Sequence, residues 1–250
     1  MPPNRRTVRD APGHRSLASW TWYSIIQYDA ASLFIQRCED LEAHPNPPMV
    51  IDEIEFPVDP GQQSEHRSFA IAAILCSVTF LESSLNELFA SASEERLEVG
   101  GGLGGLTERE RQTLRDVTGM VDRNRLLDKF QLVLHLLGRE PFDRGAGPYQ
   151  DADLLVKLRN VLVHSKPSWE AWGVPEDKLM KSLLGKHFST HPFINVNPTT
   201  LAPFFPDRCL GADCARWALH AARSFGDAFF DRLGVAPAYA IRHGRRGRVN

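Results

Sequence analysis

The chain has 250 residues, of which 42% are hydrophobic and 24% are charged. These values are close to those of ordinary globular domains and argue against a chain that is disordered throughout. A net charge of −2 excludes a protein whose whole surface binds nucleic acid, although local basic patches remain compatible with that charge.

Membrane insertion and secretion find no support in the sequence. The first residues, MPPNRRTVRDAPGHR, are basic, but no apolar stretch of the signal-sequence type follows them. The most apolar run, FAIAAILCSVTFLESSLNELF, is interrupted by Glu82 and Asn86, and a membrane span needs about 18–20 apolar residues. Four cysteines in a chain of this length do not make a disulfide framework. We therefore expect a reduced, cytoplasmic protein with no membrane attachment.

The first half of the chain is predicted to be helical, because apolar residues recur at three- and four-residue spacing. One amphipathic run covers 16–43 and a longer one covers 62–93. The stretch MVIDEIEF between them could be extended, but the sequence offers it no partner strand. EVGGGLGGL at 98–106 has too many glycines for a helix or strand and is predicted to be a flexible connector. Thr107 and Glu110 then form a capping box that starts a short helix.

The second half continues the helical pattern around one irregular segment, 168–206, in which PFINV is strand-like. Its predicted helices cover 126–137, 149–165, about 176–184 and about 209–233. We predict an all-α helical bundle formed by a single domain over residues 15–235. Basic flexible tails are predicted at 1–14 and 236–250.

The helix at 149–165, in DADLLVKLRNVLVHSKP, has an apolar face and a polar face when drawn at about 100° per residue. The face toward the core holds Leu154, Leu158, Val161 and Leu162. The opposite face holds Asp153, Lys157, Asn160 and His164. Asn160 and His164 are neighbours in space because four positions separate them, and the long side chain of Arg159 reaches toward that pair.

Two valines on the side away from the core, Val156 and Val163, suggest that this side is also covered, by another helix or by a second copy of the chain. A buried cluster of Arg159, Asn160 and His164 would then need a purpose, because an unpaired buried polar group costs about 1–3 kcal/mol. A structural interpretation stays open. Arg and His near the end of a helix also bind its last carbonyls and interact favourably with its dipole.

LRNVLVH resembles the signature of the HEPN superfamily, in which an Arg, a polar residue and a later His end a long helix. Arg159, Asn160 and His164 match that order. The run FLESSLNELF resembles the long HEPN helix whose acidic and amide side chains face the site, which assigns supporting roles to Glu82 and Asn86. The resemblance covers 62–93 and 150–166 but not 168–206, and it implies a HEPN-like bundle of long antiparallel helices.

The resemblance also implies a metal-independent endoribonuclease that needs no cofactor and acts on RNA as a homodimer. His164 would transfer protons near neutral pH, and Arg159 would stabilise the charge on the reacting phosphate. Asn160 would orient His164 or donate to the phosphate, and Lys157 and Lys166 would contact the RNA. Many members of the superfamily are prokaryotic defence or toxin–antitoxin effectors, which would add a cognate antitoxin protein as a partner.

Two other interpretations remain. HFSTH and CLGADC place His187, His191, Cys209 and Cys214 at spacings found in zinc sites, although Cys214 also fits the apolar face of the last helix. The resemblance equally admits a non-catalytic module that binds a nucleotide or a protein. An intact Arg159, Asn160 and His164 favours the enzyme over that module.

Overall fold

The structure is a computed structural model that describes residues 21–51, 54–56, 58–93, 105–121, 123–164, 177–194 and 203–240. The regular elements, in chain order, are α1 Tyr23–Ala43, β1 Met49–Ile51, β2 Ile54–Phe56, α2 Pro60–Ser93, α3 Glu108–Val121, α4 Leu126–Leu136, α5 Tyr149–His164, α6 Lys178–Leu184 and α7 Ala212–Leu233. An irregular turn at Phe204–Arg208 precedes α7. The prediction of an all-α fold is confirmed.

Three local predictions need correction. Thr21 and Trp22 are not helical, so α1 begins at Tyr23 within the described residues rather than at residue 16. MVIDEIEF pairs with itself, because β1 and β2 form a short antiparallel hairpin in which Met49 lies opposite Phe56. The described part of PFINV, 192–194, is a turn and not a strand.

Helix α2 is the centre of the bundle and packs against α1, α3, α5 and α7. Its length and apolarity would be enough to cross a membrane, but half of its most apolar window is buried inside the bundle. Ser77 and Ser84 are buried with their hydroxyls hydrogen-bonded, because they donate to the carbonyls of Ala73 and Phe80 one turn earlier. These contacts are those of a helix in the core of the bundle.

Aromatic rings fill the space between α4 and α7. Phe130 lies edge-on to Phe225 and Phe229, with ring centroids 5.0 and 4.7 Å apart, and all three side chains are fully buried. Edge-to-face pairs of this kind stabilise a core beyond the area that they bury. They fix the first half of α4 on α7, and the start of α4 borders the candidate site.

The helix ends follow local sequence signals. Thr107 and Glu110 form the predicted capping box, in which the Thr107 N–H donates to Glu110 Oε2 (2.7 Å) and the Glu110 N–H donates to Thr107 Oγ1 (3.3 Å). Gly138 and Gly234 follow α4 and α7 with φ of +65° and +70°, which glycine adopts without strain.

The glycine connector and the C-terminal segment are built into the fold where the structure describes them. A Cβ at Gly105 would lie 1.8 Å from the carbonyl oxygen of Gly234, so the end of the connector packs against the end of α7. Tyr239 is 1% exposed, and its ring lies 4.8 Å from that of Phe80. The predicted flexible tail from residue 236 is therefore wrong as far as Ala240. Residues 1–14, 98–104 and 241–250 lie outside the described residues.

Candidate functional site

A cavity of about 750 Å³ opens between α2, the start of α4 and the outer face of α5. That volume lies within the usual range for small-molecule sites. Its cationic lining residues outnumber the acidic ones, five to three. The cations are Arg125, Lys129, Arg144, Lys157 and Arg159, and the acids are Glu82, Asp128 and Asp153. Together with three asparagines, this lining suits an anionic, hydrogen-bonding ligand.

Arg159 and Glu82 meet in this cavity. Arg159 Nη2 donates to Glu82 Oε1 over 2.9 Å, and the two side chains are 24% and 41% exposed. Arg159 turns toward α2 because Leu155 and Leu158, on the neighbouring positions of α5, are fully buried in the core. The Nη2 group of Arg159 is thus bound to the Glu82 carboxylate, while other N–H groups of the guanidinium remain for a ligand.

Three further predicted residues line the same cavity. Asn86 lies one turn beyond Glu82 on α2, and Asn160 follows Arg159 on α5; both side chains are exposed. Lys157 is exposed as well, and its ammonium donates to Asp153 Oδ2 over 2.6 Å. The structure therefore brings Glu82, Asn86, Lys157, Arg159 and Asn160 together, although these residues come from two helices far apart in sequence.

His164 does not line the cavity. It is the last residue of α5 and its side chain is exposed, as is that of Asn160. A buried Arg–Asn–His cluster within one chain is therefore wrong. Lys166 lies outside the described residues.

The two valines of α5 have different surroundings. Val156 is half-buried and packs against the main core, together with Leu162. Val163 is 51% exposed and adjoins His164. Val156 is therefore covered by residues of its own chain, as one of the two predicted alternatives requires. That a second copy of the chain covers Val163 stays a prediction.

The sequence interpretation missed three basic residues of the cavity: Arg125, Lys129 and Arg144. Arg125 immediately precedes α4 and Lys129 lies in its first turn. Arg144 donates to Asp128 Oδ1 over 2.8 Å and lies 5.8 Å above the Tyr149 ring. The only sequence signal for them is the spacing of Arg125 and Lys129, four apart on one helix face, and this spacing is common on solvated surfaces.

The four candidate zinc ligands do not come together. His187 is exposed, and Cys209 and Cys214 are buried with their sulfurs 4.0 Å apart. His191 is buried against His66, with ring centroids 4.7 Å apart. Regular spacing in the sequence was misleading here, because His187 is exposed whereas His191 is buried.

A different polar cluster is buried where α1, α2 and α7 meet. Glu42 Oε1 accepts from His66 Nε2 (2.7 Å) and from the Ala212 N–H at the start of α7 (2.8 Å). Burial raises the pKa of Glu42, but the hydrogen bonds from His66 and Ala212 outweigh it and the net pKa is lowered. The Cys38 thiol lies 3.9 Å from Glu42 Oε1, and burial raises the pKa of that thiol.

A scan of the chain against protein-family models finds no matching model, and searches among curated proteins and solved structures find no match. The resemblance to the HEPN superfamily therefore remains an expectation from the motif. Any functional proposal has to be supported by the residues of the cavity themselves.

Proposed function

We propose that the chain is a metal-independent endoribonuclease of the HEPN type, which cleaves RNA through attack of a 2′-hydroxyl on the adjacent phosphate. The observation that carries the proposal is the cavity in which Arg159 lies against Glu82, with Asn160 beside it and cationic residues in excess. Such a cavity suits a phosphate group, because a guanidinium can donate hydrogen bonds to two phosphate oxygens at once.

The chemistry assigns one task to each group. Arg159 neutralises the charge that develops on the phosphorane, and Asn160 donates a hydrogen bond to the phosphate or to His164. His164 takes the proton of the 2′-hydroxyl or gives one to the leaving 5′-oxygen, leaving a 2′,3′-cyclic phosphate. Lys157 contacts the RNA backbone. Lys166, two residues after the end of α5 in the sequence, has the same role.

The exposed position of His164 supports a homodimer as the active form. A second copy that covers Val163 would bring its own α5 against this one. The His164 of each copy then lies at the shared boundary, next to a cavity that already holds Arg159. Apolar exposure beside the end of a catalytic helix is what such an interface would leave on a single chain.

Incubation of purified protein with total RNA in EDTA tests the proposal, with His164→Ala as the matched variant and His187→Ala as the control for loss of an exposed histidine. Cleavage by wild type and His187→Ala, with cyclic-phosphate ends, and loss of cleavage in His164→Ala is the expected result. Cleavage by His164→Ala equal to that by wild type would contradict the mechanism. Far-UV circular dichroism in the same buffer shows that each protein is folded.

A binding module is the second candidate. The observation that favours it is the position of His164 outside the cavity. The cavity would then hold a nucleotide or another phosphate-bearing ligand without cutting it. Salt-sensitive binding of RNA together with cleavage favours the enzyme, whereas tight nucleotide binding without cleavage favours the module.

The cellular role rests on the motif resemblance alone. We propose a cytoplasmic effector of prokaryotic defence or of a toxin–antitoxin pair, held inactive by a cognate antitoxin protein. Purification from the native host with its neighbouring gene product would reveal such a partner as a stable complex without ribonuclease activity.

A further inference from the structure

The cluster of Cys38, Glu42 and His66 brings three potential metal ligands to one point. Their donor atoms all lie within 4.8 Å of one another. Cys38 and His66 are buried, and Glu42 is partly exposed. Cys38 and Glu42 lie four apart on α1, so both side chains leave the same face of that helix toward α2. The cluster is separate from the cavity and shares no residue with it.

His191 supplies a second, independent observation. Its side chain is 6% exposed, and neither ring nitrogen makes a well-aligned hydrogen bond among the described residues, although the backbone of Asp207 lies close to the ring. A Cβ built on Gly211 would lie 3.3 Å from His191 Nε2 and 3.1 Å from Glu42 Oε1, so both atoms border the same small space. A buried imidazole without a partner costs free energy unless something binds it.

We propose that Cys38, Glu42, His66 and His191 form a structural site for one zinc-class divalent cation. Thiolate, imidazole and carboxylate together are the donor set of zinc, and four protein ligands complete a closed tetrahedral site. On binding, the Cys38 thiol loses its proton to solvent and the sulfur bonds the metal. His66 coordinates through Nε2, so the proton shared with Glu42 moves to Nδ1.

Cys38, Glu42 and His66 need only small movements to seat the ion, whereas His191 lies outside their 4.8 Å group and has to turn toward it. Zinc bonds of about 2.3 Å to sulfur and about 2.0 Å to nitrogen or oxygen put tetrahedral donors about 3.3–3.6 Å apart. Cys38 Sγ and Glu42 Oε1 are 3.9 Å apart, and His66 Nε2 and Glu42 Oε1 are 2.7 Å apart. The first pair closes slightly and the second opens slightly. Gly211 leaves room for the His191 ring, which a side chain at that position would fill.

The site would link three parts of the chain directly: α1, α2 and the turn at 191–194. It would also stabilise the start of α7, where the Ala212 N–H already donates a hydrogen bond to Glu42 Oε1. Metal binding then adds to folding stability, because the unfolded chain holds no assembled site. This role is independent of RNA cleavage, which the motif assigns to a metal-free cavity.

Cobalt(II) titration of the full chain, stripped of metal and shown to be folded by circular dichroism, is the deciding experiment. We expect one Co²⁺ per chain, a thiolate-to-cobalt charge-transfer band and tetrahedral d–d absorption, all displaced by one equivalent of zinc. Cys76→Ser, the control, changes a half-buried cysteine of α2 and should keep the band. Cys38→Ser should lose it, and His191→Asn should weaken cobalt binding at least about 100-fold.

Two results would overturn the proposal: a folded wild-type chain that shows no thiolate band at saturating Co²⁺, or an undiminished band in Cys38→Ser. The wild-type titration is decisive on its own, so a failure of Cys38→Ser to fold does not leave the question open. Zinc should also raise the melting temperature of wild type but not that of His191→Asn, and an equal rise in both would count against the site.

Discussion

Arg159 on α5 and Glu82 on α2 form an ion pair over 2.9 Å although 77 positions separate them in the sequence. Both side chains are partly exposed, so the pair adds little to stability; exposed pairs contribute about 0–1 kcal/mol. The main effect of the pair is to orient the side chain of Arg159. Glu82 holds the guanidinium over the cavity rather than letting it extend into solvent, and it also offsets one positive charge there.

Glu82→Gln should tighten RNA binding. The substitution removes a negative charge from the cavity while keeping a similar shape, and about 1 kcal/mol of relieved repulsion corresponds to about fivefold in affinity. Glu65→Gln on the exposed face of the same helix is the control for the change in net charge. Fluorescence anisotropy with a short labelled RNA measures both. Equal tightening by the two variants would show that the cavity is not where RNA binds.

Arg159→Ala should lower cleavage by about 10²–10³, because a donor aimed at the developing charge is lost. The slope of log affinity against log salt should fall by about one unit, as expected for one phosphate contact. Arg37→Ala, which removes an exposed arginine of α1, should change neither quantity. A full salt slope in Arg159→Ala would place the arginine away from the phosphate.

Thr107→Ala should destabilise the protein by about 1 kcal/mol, the usual cost of a lost N-cap. The Thr107 hydroxyl accepts from the Glu110 N–H and donates to Glu110 Oε2, and no other described side chain replaces it. Thr113→Ala, one turn inside the same helix, should be neutral or slightly stabilising because alanine favours helix. Urea unfolding of the two variants gives the comparison, and equal stabilities would argue against the cap.

Glu87 should make stability depend on pH. Burial raises its pKa, against the opposing effect of hydrogen bonds from the Ser24 N–H and hydroxyl. The folded chain therefore binds this proton at higher pH than the unfolded chain, and stability falls as pH rises through the folded pKa. Wild type should accordingly gain stability relative to Glu87→Gln between pH 7 and about 5.

Glu108→Gln gives the opposite sign and serves as the control for the Glu87 experiment. The hydrogen bond from Arg115 lowers the pKa of Glu108, so the stability that this carboxylate contributes is lost as pH falls. Wild type should therefore lose stability relative to Glu108→Gln only below about pH 5, where the unfolded carboxyl begins to take up its proton. Chemical unfolding at pH 7, at about pH 5 and at about pH 3 measures both differences, and a gain of wild-type stability relative to Glu108→Gln on acidification would refute the assignment of causes.

Much of the fold was readable because helix signals are local. The periodicity that predicts 62–93 is repeated over several turns, and the Thr107–Glu110 cap needs only four residues of context. The hairpin at 49–56 was missed because its two strands are very short and pair only with each other. Tyr239 was placed in a tail because a single aromatic residue after a glycine carries no periodic signal.

The candidate site was predictable only in part. The motif resemblance pointed to Glu82 and Arg159 on separate helices, and the structure places them together. Arg125, Lys129 and Arg144 line the same cavity as that pair because the tertiary fold brings the start of α4 and the segment before α5 to it, which no local pattern encodes. His191 was noticed for its spacing from His187, but its neighbours come from α1 and α2, far away in sequence.

The burial of Tyr239 against Phe80 and Phe230 has a consequence for how the chain is made. Helix α2 leaves the ribosome long before Tyr239, so the side of Phe80 that Tyr239 covers lacks this contact through most of synthesis. Contacts between such distant residues form slowly and expose the growing chain to aggregation. Nascent chains halted before Tyr239 should therefore depend on chaperones that shield apolar helices.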